Sequence, residues 1–202
     1  MSEGTANVAE ARIPPCFAIC AAASALLLSV GLPAPSQGQV PLVDPRSVAP
    51  YVPTPWHVVD RMLEEVDVTE EDVVFDLGSG DGRILMRAAK RLGARGVGYE
   101  INADLVEEAR SAVEAAGVAD QVEIRDRDIF DADLSSATVV TLFLVTSAHR
   151  RLRPKLLNEL QPGTRIASYK WEIPGWNPSK TVTVPVSGSV QPIFVYEVGR
   201  HD

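Results

Sequence analysis

Cysteine is nearly absent. The only two, Cys16 and Cys20, lie in an apolar N-terminal stretch, and the chain beyond Cys20 has none. That excludes a cysteine-ligated zinc site, an iron–sulfur cluster, a disulfide scaffold and a thiol nucleophile from everything downstream. Positive charge is in deficit: 19 Lys and Arg stand against 27 Asp and Glu, a net charge of −8. Such a balance disfavours a protein that holds nucleic acid by neutralising phosphates, and neither nucleic acid nor a metal ion is expected as a partner. No internal repeat is visible. What remains, 46% hydrophobic and 23% charged residues in a chain of 202, is ordinary globular composition for one domain with an appendage.

Charge is also missing from Ile13 to Val43. After a flank of residues 1–12, residues 13–32 form a hydrophobic segment. Its apolar heart, Cys16 to Leu32, is 17 residues, about 25 Å as a helix. That length is slightly short of a roughly 30 Å hydrocarbon core and suits a long signal-peptide core. Small residues spaced for cleavage occur twice, in Ala34-Pro35-Ser36 and Ser36-Gln37-Gly38. The segment therefore reads as either a retained membrane anchor or a cleaved signal. Pro33, Pro35, Pro41, Pro45 and Pro50 follow it, so residues 33–46 are a linker and the fold is assigned to residues 47–202.

Within that domain helical and strand periods alternate. Thr54-Pro55 is a helix start, with a hydroxyl N-cap and proline in the first turn, and Val58, Val59, Met62 and Leu63 repeat behind it at helical spacing. Asp72–Leu77 and Gly96–Ile101 read as strands, separated by a helix whose stripe is Ile84, Leu85, Ala88 and Leu92. A helix over Ala103–Ala116, a strand at Val122–Arg125 and an apolar strand at Thr138–Leu144 come next. Ser147–Leu160 is helical, with Pro154 restarting or kinking it. Thr164–Trp171 is a fifth strand, and Thr181–Val184 with Pro192–Val198 form a terminal antiparallel pair. The alternation predicts an α/β fold: a Rossmann-like, doubly wound, mainly parallel seven-stranded sheet ending in an antiparallel pair.

The chemistry concentrates in Asp76-Leu77-Gly78-Ser79-Gly80-Asp81-Gly82-Arg83. It joins the first strand to a helix, where a doubly wound sheet binds nucleotides. A pyrophosphate prefers bare amides at a helix N-terminus, so Asp76 and Asp81 are poor neighbours for one. They suit a ligand with an ammonium, a sulfonium and ribose hydroxyls. The Gly78-x-Gly80-x-Gly82 spacing is also one residue tighter than the dinucleotide fingerprint. Glu100 ends the second strand, 20 residues after Gly80, where a carboxylate accepts from both ribose hydroxyls. Asp128 follows the third strand as an acceptor for an adenine amine, with Ile129 beside it to pack on the ring. Each acidic residue alone would serve equally as a helix cap or a solvated turn. Their order at successive strand ends indicates a nucleotide site.

DLGSGDGRI, GYEIN, ATVVTLFL, LRPKLLNELQPGTRIASY and WEIPGWNP, with Tyr51-Val52-Pro53-Thr54-Pro55 before the first helix, together resemble a class I S-adenosylmethionine-dependent methyltransferase. More narrowly, the chain is similar to the lysine methyltransferases that modify ATP synthase c subunit and adenine nucleotide translocase, and to their prokaryotic relatives. The likeness covers about residues 50 to 180. It implies S-adenosylmethionine as cofactor, held by Asp76, Gly78, Gly80, Glu100 and Asp128, with Tyr51 and Thr54 closing over it; Ser79 and Asp81 in the turn and Ile129 beside Asp128 join the expected cofactor-binding set. It also implies a protein substrate methylated on lysine; because export would part the domain from that cofactor, the expected arrangement is a membrane-anchored enzyme with its domain on the cofactor side. Export through a cleaved signal is the alternative. After the fourth strand the chain has Val145-Thr146-Ser147-Ala148 in place of the Asn/Asp-Pro-Pro-aromatic motif of enzymes acting on amide or adenine nitrogens.

A lysine acceptor has to be neutral, and apolar and aromatic walls beside a sulfonium favour the deprotonated amine. Tyr51, Trp171 and Trp176 are the expected catalytic-side walls, while Trp56 and Tyr169 fit either a wall or the core. His57, His149 and the neighbouring Arg150, Arg151, Arg153 and Lys155 read as a solvated helix surface. A small-molecule methyltransferase and a non-catalytic cofactor-binding module are the alternative functions.

Overall fold

The computed structural model describes residues 50–199. The hydrophobic segment, the linker and the domain boundary at residue 47 lie outside the described residues. In chain order the elements are α1 (Trp56–Glu65), β1 (Val73–Leu77), α2 (Arg83–Leu92), β2 (Arg95–Glu100), α3 (Ala103–Ala115) and β3 (Val122–Asp126). A 3₁₀ turn (Ile129–Asp131), β4 (Val139–Leu142), α4 (Thr146–Glu159), β5 (Arg165–Tyr169), β6 (Lys180–Val186) and β7 (Ser189–Glu197) follow. They build the expected seven-stranded sheet, in the order β3-β2-β1-β4-β5-β7-β6. Strands β1 to β5 are parallel, and β7 runs antiparallel to both β5 and β6. Among the described residues no helix is long and apolar enough to cross a membrane.

Side chains alternate across the sheet and so build two cores. Val74 and Val139 pack beneath α1, α2 and α3 with Val58, Met62, Leu85 and Val106. Phe75, Leu77, Val140 and Leu142 face the other way, onto Leu152 and Leu156 of α4. By the same alternation Asp76 and Thr141 lie on the α1 face, where the register sets Asp76 between Gly98 and Thr141. Strand order reverses between β1 and β4, and the crevice outside their carboxyl ends is where such sheets bind ligands.

Several boundaries differ from the sequence reading. Pro55, not Thr54, is the N-cap of α1, with no side-chain cap bond; the Thr54 side chain is buried instead. Pro154 lies inside an unbroken α4, on its exposed side. β4 stops at Leu142 and β5 at Tyr169, because Lys170 turns the chain with a φ of 73°. The terminal hairpin is longer than expected and turns on Ser187 and Gly188, with φ of 48° and 79°, the left-handed pair that a two-residue hairpin turn requires.

His149 is a correction. It is fully buried, and its Nδ1 lies 3.0 Å from the Glu172 carbonyl, so it donates to the loop after β5. Its neighbours Arg150 and Arg151 are exposed as expected, and Arg151 lies over the Phe130 ring at 3.9 Å. His57 remains exposed, with Nε2 2.8 Å from the Pro185 carbonyl.

Candidate active site

The turn after β1 is the floor of the crevice. Gly78, Gly80 and Gly82 all have positive φ, at 85°, 53° and 75°. At Gly80 the need is twofold, because a Cβ there would also stand 2.5 Å from the Tyr51 ring. Tyr51 thus lies directly on the glycine turn, as expected for a residue closing over it from the N-terminal side.

Glu100 is held by three amides. Its Oε2 accepts from Gly80 at 2.9 Å, while Oε1 accepts from Ile101 at 2.9 Å and Asn102 at 3.0 Å. These bonds orient the carboxylate beside the turn without any cationic partner. Asn102 then caps α3 through its own side chain. Asp76 is buried, and its Oδ1 accepts from the Thr141 hydroxyl at 2.8 Å. Burial pushes its carboxyl up to about 7; the Thr141 bond opposes this, and the Glu100 and Asp81 charges add to it. Ser79 Oγ is buried in the same turn and has no hydrogen-bond partner among the described residues. A buried carboxyl repelled by two others, with an orphan hydroxyl beside it, suits a cationic ligand with hydroxyls. The residues present fit a sulfonium nucleoside and would oppose a diphosphate.

Asp81 has protein partners of its own. Arg83 Nε lies 2.9 and 3.0 Å from its two oxygens, and Nη2 lies 2.6 Å from Oδ2. Tyr51 also hydrogen-bonds it, and burial together with the Asp81 charge raises the Tyr51 hydroxyl to about 12. Arg83 Nη1 donates to the Thr54 carbonyl at 2.9 Å, and its guanidinium lies over Trp56 at 5.3 Å. Asp81 and Arg83 therefore latch the Tyr51–Pro55 segment onto the turn. Trp56, flanked also by Arg87 at 5.0 Å, belongs to this latch and not to the crevice.

Asp128 caps the 3₁₀ turn by accepting from Phe130 N at 3.0 Å. Ile129 is buried in the α4-side core. Both stand at the expected strand end, with roles in that turn as well.

Across the switch point, Gly78 meets Leu144, whose Cδ2 would be 3.2 Å from a Cβ at that glycine. The next residue back, Phe143, packs on Tyr169 at 4.7 Å and stacks on Trp171 at 5.8 Å. Phe143 and Trp171, both half-buried, thus make an aromatic wall over the ends of β4 and β5, backed by Tyr169 from the core. The sequence reading singled out Tyr169 and Trp171 but took Phe143 as strand; the early end of β4 is what frees it. Trp176 is the reverse case. It is buried and stacked on Tyr196 at 5.8 Å, so it anchors the loop from the core and offers no open face. Arg153 Nη2, donating to the Gly175 carbonyl at 3.3 Å, ties the same loop to α4. Among the described residues no cluster of His, Cys, Asp and Glu could hold a metal ion.

Comparison with known proteins gives this crevice relatives. Residues 76–180 match the family described as the ANTKMT methyltransferase domain. The chain is 45% identical over 153 residues to a protein-lysine N-methyltransferase of Saccharolobus islandicus, covering 75% of this chain and 95% of that one. It is 36% identical over 159 residues to the mouse adenine nucleotide translocase lysine N-methyltransferase, spanning 78% of this chain but only 65% of that longer protein. A Salinibacter ruber structure described as an RNA methyltransferase in complex with S-adenosyl-L-homocysteine is 51% identical, with a TM-score of 0.69, covering 74% of this chain and 95% of that one. The sheet that carries the acidic glycine turn at its β1–β4 switch point is therefore that of a known family: the chain belongs to the ANTKMT methyltransferase domain family of S-adenosylmethionine-dependent methyltransferases.

Proposed function

We propose that this chain transfers a methyl group from S-adenosylmethionine to the side-chain amine of a protein lysine. The observation that carries the reading is the aromatic wall of Phe143 and Trp171, next in sequence to the Leu144 that meets the Gly78 turn, in a chain 45% identical to a protein-lysine N-methyltransferase along 95% of that relative. The cofactor supplies a methyl already activated by its sulfonium charge, so what the protein has to provide is alignment.

Asp76 and Ser79 face the cationic end of the nucleoside, and Glu100 takes the ribose hydroxyls. Asp128 and Ile129 serve the adenine, and the Gly78–Gly82 turn lets the ligand approach the backbone. Tyr51 and Thr54, latched by Asp81 and Arg83, close the near side. The acceptor lysine has a free pKa of about 10.4. Its neutral form is favoured where aromatic walls strip water from the ammonium, and the same faces tolerate the methylated product.

The Salinibacter ruber relative's description as an RNA methyltransferase makes RNA the second acceptor to test, although the net charge of −8 opposes phosphate binding. The purified chain is incubated with methyl-labelled cofactor and with cell protein or total RNA in separate reactions. Label on lysine in protein is expected, with loss of labelling in Glu100→Ala. Label confined to RNA, or to small molecules, would overturn the lysine reading. For residues 13–32 the reading that keeps the domain beside its cofactor is a retained membrane anchor. N-terminal sequencing of protein from the membrane fraction tests it, and a mature terminus just after Ser36 or Gly38 would reverse it.

A further inference from the structure

Lysine is scarce in this chain. Lys90, Lys155, Lys170 and Lys180 are all there are, against 15 arginines. Lys155 pairs with Glu159 at 2.7 Å, Lys180 pairs with Glu65, and Lys90 is exposed in the last turn of α2. Lys170 is unlike these. It forms no ion pair with a described residue, and its Nζ lies over the Trp171 ring at 5.5 Å and the Phe143 ring at 5.9 Å. An ammonium on aromatic faces is the contact a substrate lysine would make with the same wall.

The backbone holds Lys170 there at a cost. Its φ of 73° is a left-handed conformation that disfavours any residue with a Cβ, and such outliers persist only where their surroundings over-determine them. Here the Lys170 N–H donates to the Pro192 carbonyl at 2.9 Å, and Ser168 Oγ holds the next carbonyl, that of Trp171, at 2.6 Å. The left-handed turn ends β5 and sends the lysine side chain across the aromatic wall instead of onward along the sheet.

We propose that Lys170 is itself a methyl acceptor, modified by the chain that carries it; this rests on the lysine reading above. The Lys170 amine, having released its proton to water, attacks the cofactor methyl. The N–C bond forms as the S–C bond breaks, the S–C electron pair stays on sulfur, and the positive charge passes to nitrogen. The products are S-adenosylhomocysteine and a methylated ammonium that remains on the Phe143 and Trp171 faces. With so few lysines in the chain, there are few other places for the label to go.

The full chain is incubated with methyl-labelled S-adenosylmethionine over a tenfold range of protein concentration, with and without added cell protein. Peptides spanning residues 165–180 are then analysed by mass spectrometry. The expected result is a mass gain of one or more methyl groups on Lys170, at a rate per molecule independent of concentration. Lys170→Arg, shown folded by its thermal transition, loses that label, whereas Lys90→Arg keeps it. An unmodified Lys170 beside labelled added protein overturns this proposal and leaves the lysine reading standing. Label on another lysine, or a rate proportional to concentration, also overturns it. No labelling of either the chain or the added protein removes both readings together.

Discussion

Asp76 is a carboxyl without water around it, facing Glu100 and Asp81, and it is raised from its ordinary 3.8 to about 7. The folded chain therefore holds a proton that the unfolded chain has released between about pH 4 and 7, and this group costs stability as pH rises through that window. Asp76→Asn keeps an acceptor for Thr141 and removes the charge. It is expected to raise stability at pH 8 by about 1–2 kcal/mol, read by calorimetry. The same variant is expected to weaken S-adenosylmethionine binding about tenfold or more, the loss of one charge-assisted contact. In the wild type a cationic ligand favours the ionised carboxyl, so binding should release protons near neutral pH and tighten toward pH 8. Titration calorimetry in buffers of different ionisation enthalpy reads that release. Gly80→Ala fails for another reason: at φ 53° the new Cβ would sit 2.5 Å from the Tyr51 ring. Left-handed strain of about 1–2 kcal/mol is expected, together with weaker cofactor binding as Tyr51 is displaced.

Among the elements, the loop between β5 and β6 shows how α4 serves a site it does not line. His149 donates to the Glu172 carbonyl, Arg153 to that of Gly175, and Ile173 N to the Tyr196 hydroxyl at 2.9 Å. These ties fix the chain that leaves Trp171. His149→Leu removes one of them, with an expected cost of about 1–2 kcal/mol, a higher KM for the protein acceptor and an unchanged Kd for the cofactor. A cofactor affinity that fell equally would argue against this division of labour. At the other end of the sheet the Ser187-Gly188 turn is independent of the site. Ser187, at φ 48°, is expected to gain about 0.5–1 kcal/mol on substitution by Asn, with no change in cofactor affinity.

Across the whole molecule the titrating groups oppose one another. Burial holds the His149 imidazole below its ordinary 6.5, so the unfolded chain gains a proton first as pH falls and stability is lost below about 6.5. Asp76 works in the opposite direction over about pH 7 to 4, so the two slopes oppose one another. Asp72 acts lower. Burial raises it, but bonds from Thr138 and Thr69 and the charge of Arg165 more than compensate and hold it below 3.8. Its contribution is present above that value and lost as pH falls through its folded pKa. Stability measured from pH 8 to 3 should therefore decline less steeply below pH 6.5 than it would without Asp76, and drop further once Asp72 titrates. Asp76→Asn exposes a decline beginning near pH 6.5, and His149→Leu exposes a rise toward acid. A wild-type curve as steep below pH 6.5 as that of Asp76→Asn would show that the two groups do not oppose one another.

How much of this was legible beforehand follows from what is local. Alternating apolar runs, the glycine turn and carboxylates at successive strand ends depend on neighbours in the chain, so the α/β order and the positions of Asp76, Glu100 and Asp128 could be read from residue order alone. Contacts between residues distant in sequence could not. That Asp81 pairs with Arg83 and Tyr51 was decided by the packing of the N-terminal segment on α2; that Phe143 joins Tyr169 and Trp171, and that Trp176 and His149 are buried, were decided by the packing of α4 and the β5–β6 loop against the sheet. Periodicity shows which face of an element is apolar; only the assembled layers show what covers that face and which polar atoms are left to meet a ligand.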